Sequence, residues 1–243
     1  MTMECQKKPV IILGLILGVC FLAGMSILAG AFLRAKSFDN SIAVAGSSKQ
    51  AVVSDSARWL GSFSQTISKD EIKSGYSLMK KDEAAVFKFF KDNGLSDKDI
   101  SISPVMMNEV YKSDNNAPKE YSLYQSVEIR SSDVYKIRDL AKNIQSLVDQ
   151  DILFSTNAIE YYYSKLPEAR VSLLSGAIKD AKERANKIAS SSGQEVGSVK
   201  SVSMGIVQVL APNSIDISDY GSYDTSSIDK EVMVTVKAVF GLE

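Results

Sequence analysis

The chain has 243 residues, enough for one large domain or two small ones, and 28 Lys plus Arg against 29 Asp plus Glu leave a net charge of −1. A protein that neutralises many phosphates needs a basic surplus, so this balance argues against nucleic acid as a partner. Histidine is absent altogether, which removes Ser-His-Asp and Cys-His catalysis, the commonest general base and the commonest metal ligand.

The two cysteines, Cys5 and Cys20, lie near the amino terminus, so no cysteine-rich zinc site is expected. On a helix they would stand about 22 Å apart, too far for a disulfide. From Lys36 onward there is no thiol, and such a body can be exported whatever the redox state of its compartment.

Val10 to Leu33 reads VIILGLILGVCFLAGMSILAGAFL, 24 residues without a charge. As a helix it would cover about 36 Å, sufficient for a hydrocarbon core of about 30 Å. The expected layout is a short cytoplasmic tail (1–9), a transmembrane anchor (10–33), a polar linker (34–40) and a body (41–243). Lys7 and Lys8 precede the run while Arg34 and Lys36 follow it, so charge favours neither orientation strongly. The alternative is a cleaved signal peptide, with Ala29-Gly30-Ala31 as the processing site and a soluble periplasmic product. The apolar run exceeds the usual h-region of about 7–15 residues, which favours the anchor. Val19 before Cys20 is bulky and the run continues past it, which argues against lipidation. Gly14 and Gly18 form a GxxxG pair and are candidate membrane-helix contacts, although glycine is common in membrane helices.

In the body, Ile42-Ala43-Val44 predicts a short strand closed by Gly46 and Ser47-Ser48. Ala51 to Ile67, which holds Trp59, predicts a longer strand. Ser68 or Asp70 would cap a helix over about 71–92, with Ile72, Tyr76, Met79, Val86, Phe87 and Phe90 on its apolar face and Asn93-Gly94 at its end. Ile100 to Tyr111, a turn at 113–119 and the alternating Tyr121–Ile129 predict a hairpin. After a cap at Ser132 or Asp133, Val134, Ile137, Ala141, Ile144 and Val148 predict a second helix. Ile152 to Tyr163 reads as extended, so Tyr161, Tyr162 and Tyr163 would alternate between the faces of a sheet.

A third helix is expected over Pro167–Ser191, stopped by Gly193, and a strand over Val199–Leu210. In the last strand Val232, Val234, Val236, Ala238 and Phe240 alternate with Met233, Thr235 and Lys237. The order predicts an α+β fold: mainly antiparallel sheets with three long helices packed on them, preceded by one transmembrane helix.

In the third helix Ala177, Ala181, Ala185 and Ala189 recur every fourth residue and make one small-residue stripe. Such a stripe lets a backbone approach closely, and it is read first as packing on the chain's own sheet and second as an oligomer face. The opposite face offers i,i+4 pairs between Asp180 and Arg184 and between Glu183 and Lys187. The polar stretch after Leu210 carries Asp216, Asp219, Asp224 and Asp229, whose spacing does not match a calcium loop. It is expected to be a solvated, mobile loop, with Tyr220 and Tyr223 as candidate docking residues. No Gly-rich phosphate loop, G-x-S-x-G or H-E-x-x-H occurs, so no catalytic residue, metal site or cofactor is assigned.

Several of these segments together resemble the SIMPL family of exported bacterial proteins, over roughly residues 41–241. They are Ile42-Ala43-Val44-Ala45-Gly46; Val53-Ser54-Asp55-Ser56-Ala57, where the family often has Pro in place of Ser54; Asn93-Gly94-Leu95 before Asp99-Ile100; Tyr121; and Ala177 through Gly193 to Gly197-Ser198-Val199. The resemblance implies an envelope-associated α+β protein without established catalytic residues. It also implies homo-oligomeric, ring-like assembly and links to envelope or oxidative stress.

The expectation is therefore a non-enzymatic, single-pass protein of the inner membrane with its body in the periplasm, acting as a self-assembling scaffold. The alternative is a periplasmic module that docks another envelope protein or a small ligand through residues 211–230. A histidine-free hydrolase or thiol antioxidant is the weakest reading, because the thiols lie at the membrane edge (Cys5) and within the apolar span (Cys20).

Overall fold

A computed structural model describes residues 7–37, 40–114, 117–215, 218 and 220–243. Helix α1 runs over Lys7–Ser37, and within it Ile12–Arg34 is long and apolar enough to cross a membrane, with none of that window buried. The body, read above as one region over 41–243, comprises two compact units built from interleaved segments.

The first unit takes residues 1–48, 174–205 and 235–243, the second 49–173 and 206–234. The strands are β1 (Ser41–Val53), β2 (Ser56–Ser68), β3 (Ile100–Ile102), β4 (Met106–Val110), β5 (Glu120–Ser131), β6 (Leu153–Tyr162), β7 (Val196–Met204), β8 (Gln208–Leu210) and β9 (Asp229–Leu242). The body helices are α2 (Ile72–Asp92), α3 (Val134–Ala141), α4 (Gln145–Val148) and α5 (Leu166–Ser191). Antiparallel sheets with helices bear out the α+β class.

In the first unit the sheet order is β1-β9-β7, with β7 antiparallel to β9. Ala177, Ala181 and Ala185 of the α5 alanine stripe pack with Val44, Val236, Ala238 and Phe240. Strand β1 does not close at Gly46-Ser47-Ser48 but continues to Val53. The reason is tertiary: Gly46 follows Val44 on the inward face, and only a residue without Cβ lets α5 approach there. Asp180 of α5 fastens the same place, accepting from the Ser47 amide at 2.8 Å and from Arg184 at 2.9 Å. The Ser47 and Arg184 bonds hold its carboxyl below the usual range. Glu183 lies 4.0 Å from Lys179 rather than beside Lys187. Helix α5 ends at Gly193, whose φ of +71° is the left-handed conformation glycine tolerates, and the Gln194 amide closes back onto Ala189 O.

In the second unit a five-stranded sheet orders β3-β5-β2-β6, with β4 also on β5 and all of these pairs antiparallel. Helices α2, α3 and α4 enclose a core centred on Trp59, which meets Phe90 and Phe154 edge to face at 5.3 and 5.8 Å. Each such contact adds about 0.5–1.5 kcal/mol beyond burial. On α2, Met79, Val86 and Phe90 are buried as expected, whereas Tyr76 is exposed because Gly75 takes the inward position.

Four predicted elements are interrupted. The strand expected over 51–67 breaks at Ser54-Asp55, between the end of β1 and β2, and the strand expected over 199–210 breaks at 205–207 into β7 and β8. Two more break for reasons visible in the backbone. The strand expected over 100–111 divides into β3 and β4 around Pro104, which has no amide to donate. The second helix divides at 142–144, where the Asn143 side chain donates to Asp139 O and its amide to Leu140 O. The break turns the inward face by one position, so Leu147 is buried and Val148 exposed.

Candidate functional site

The stretch between β8 and β9 was expected to be freely solvated, and its second half is instead strapped to the second unit. Gln208, itself buried, donates from Nε2 to Ser218 O at 2.8 Å and accepts from the Ser218 amide at 3.3 Å. The Val209 amide donates to Ser222 O and the Asp224 amide to Val209 O, both at 2.8 Å. Farther along, the Tyr161 amide donates to Thr225 O at 2.8 Å and the Ser54 amide to Ile228 O at 2.9 Å. A proline at 54 has no amide to give, so serine at this position gives the strap an extra anchor.

At the end of the strap lies Lys230, whose side chain is wholly buried. Its ammonium donates to Asp224 O and to Ser227 O (2.7 Å), and stands 3.4 Å from Asp224 Oδ2. The Tyr223 ring covers it at 5.8 Å. Burial pushes the ammonium down from its ordinary value, and Asp224 pulls it part of the way back. Burial also opposes the charge on Asp224. Hydrogen bonds from Ser226 and Ser227 and the charge of Lys230 outweigh that, and hold its carboxyl well below the usual range. With its protons committed to these acceptors and no exposed surface, Lys230 is a pin, not a nucleophile.

This arrangement separates the two candidate tyrosines. Tyr220 is 96% exposed, and Ile215 on the same loop is 90% exposed. Tyr223 is 38% exposed and its hydroxyl accepts from the Tyr163 amide at 2.8 Å, while its ring lies 5.9 Å from that of Tyr162. Of the four carboxylates, Asp224 is taken by Ser226, Ser227 and Lys230, and Asp229 is exposed. Asp216 and Asp219 lie outside the described residues. Among the described residues no group of three or more His, Cys, Asp or Glu could hold a metal ion.

Ala177, Ala181, Ala185 and Ala189 are buried within the first unit, so their methyls serve the chain's own packing and are not available to a second copy. Gly14 and Gly18 stand in open space on α1, and Cys20 is exposed there. Cys5 lies outside the described residues, as do the side chains of Lys7, Lys8 and Lys36.

One ionic cluster had no sequence signal beyond strand alternation. Arg58 on the central strand β2 faces Arg130 in register on β5, a like-charge pairing, and Glu160 on β6. Glu128 resolves the conflict by reaching both arginines, at 2.8 Å from Arg58 and 2.5 Å from Arg130. The Arg58 hydrogen bond, then that of Arg130, holds its carboxyl down at about 2. Glu160 completes the cluster, 3.3 Å from Arg58 and accepting from the Tyr162 hydroxyl.

Residues 42–240 match the profile of SIMPL, described as a protein of unknown function (DUF541). The chain belongs to the SIMPL family. No curated protein matches it. The SIMPL match spans both units, so the strap, the alanine stripe and the Arg58 cluster all lie within the family's domain. The apolar part of α1 lies outside it.

Proposed function

We propose that this SIMPL protein is a non-enzymatic envelope scaffold. Helix α1 tethers it to the inner membrane, the body faces the periplasm, and it works by assembling with further copies of itself. The observation that carries the reading is strand β7, an edge strand whose residues from Ser198 to Met204 are exposed with a single charge, Lys200. Edge strands that stay monomeric are usually shielded by charge, proline or a covering element, and β7 has only Lys200 and two irregularities near its start. The apolar, unburied α1 supports the tether. A role in envelope or oxidative-stress tolerance follows from the resemblance alone and belongs to the same proposal.

The test is made in intact membranes. Protease added from the periplasmic side should digest the body, and a short amine cross-linker should give covalent multimers, the dimer included. A protected body would contradict the topology, and absence of multimers would contradict self-assembly.

A second reading is favoured by one observation, the two apolar side chains Ile215 and Tyr220 held almost fully exposed beside a strapped segment. An anchored loop with such a tip suits docking to another envelope protein. Replacing both residues by serine should then abolish capture of the partner without changing the melting transition, and unchanged capture would remove the reading.

A further inference from the structure

We infer that β7 is the seam between copies, and that two chains pair β7 with β7 antiparallel about a two-fold axis at Ser203. This rests on the self-assembly reading above and names its surface. The register of β7 on β9 sets Ser203 opposite Lys237 and Met204 opposite Val236. The Gly205 amide donates to Thr235 O at 2.9 Å, which makes 205/235 a hydrogen-bonded pair and, two residues back, 203/237 another. The amides and carbonyls of Val202 and Met204 therefore point away from β9, to the open edge. An axis at Ser203 brings Val202 of one chain opposite Met204 of the next, and the reverse, so these outward groups satisfy each other.

The side chains fit the same axis. Val199, Val202 and Met204 pair with Phe240, Ala238 and Val236, so they lie on the sheet face that α5 covers farther in, yet they remain 50, 41 and 48% exposed. Pairing about Ser203 joins the two apolar rows into one. Charge permits it: Lys200 lies three residues off the axis, so its two copies stand about 20 Å apart along the seam, roughly two Debye lengths at 0.1 M salt. The irregularities before Ser201 and the end of β7 at Met204 confine the paired seam to 202–204. That is short of the roughly 800 Å² per partner of a stable free dimer, so it needs the concentrating effect of copies held together by α1 in one membrane or one detergent micelle.

The two-fold also predicts a chemical readout. Facing Ser203 residues form a non-hydrogen-bonded pair with Cα atoms about 4.5 Å apart, within disulfide reach. In the full chain carrying Cys5→Ser and Cys20→Ser, Ser203→Cys should form a covalent dimer under mild oxidation in membranes, while Ser198→Cys should not. Adding Val202→Lys, an exposed change the fold tolerates, should cut the yield at least tenfold. If light scattering shows a defined multimer but Ser203→Cys does not link, or links no better than Ser198→Cys, the β7 seam is overturned and self-assembly stands. A single-chain mass together with no link overturns both.

Discussion

A methyl group placed on Gly46 of β1 would sit 2.2 Å from the carbonyl oxygen of Ala177 on α5. The next atoms, Ala181 N and Cβ at 2.5 and 2.7 Å, belong to the same helix and cannot swing aside. Gly46→Ala must therefore push strand and helix apart and loosen the packing of the alanine stripe. The expected loss is about 3 kcal/mol, the upper end for overpacking. Denaturant unfolding followed by far-UV circular dichroism checks it, and an unshifted midpoint would contradict the close approach.

Lys230→Met keeps most of the side-chain volume but removes the ammonium, leaving Asp224 partly buried without its cation and two carbonyls without their donor. Breaking a buried pair from one side costs about 3–5 kcal/mol. Trp59, the only tryptophan and fully buried in the same unit, reports the transition by fluorescence. Amide exchange at Asp224 and Tyr161 should accelerate as the strap loosens.

Acid should test the Arg58 cluster. The folded Glu128 carboxyl lies at about 2, below the roughly 4.3 of an unfolded glutamate. Its contribution is therefore complete above the unfolded value and is lost as pH falls from there towards about 2. Its side chain is 25% exposed, so salt will weaken the effect. Melting curves of the wild type and Glu128→Gln should differ most near neutrality and converge in strong acid; parallel curves at every pH would contradict the assignment.

The two loop tyrosines should behave differently. Tyr220→Ser touches no buried surface and should leave stability within about 0.5 kcal/mol. Tyr223→Phe removes the acceptor of the Tyr163 amide and should cost about 1 kcal/mol. Thermal melts of the two variants decide it.

Much of this architecture was legible. The helix expected over 71–92 is α2 at Ile72–Asp92, Gly193 does stop α5, and the valine alternation of β9 runs as read. What failed depended on partners distant in sequence. Gly46 resembles a turn unless α5 is known to lie on it, and the pause at 142–144 is set by Asn143 bonding its own helix. Lys230 was missed although a signal existed: extending the Val232, Val234, Val236 alternation two residues back puts it on the inward face. The two interleaved units left no linear trace, since the first takes up the chain three times and the second twice.

Self-assembly is tested most directly by the solution mass of the full-length chain extracted in detergent, measured by light scattering with the detergent contribution subtracted. The account predicts a defined multiple of the 26.5 kDa chain, reduced in the Val202→Lys variant. A protein mass of one chain across the accessible concentration range would contradict it.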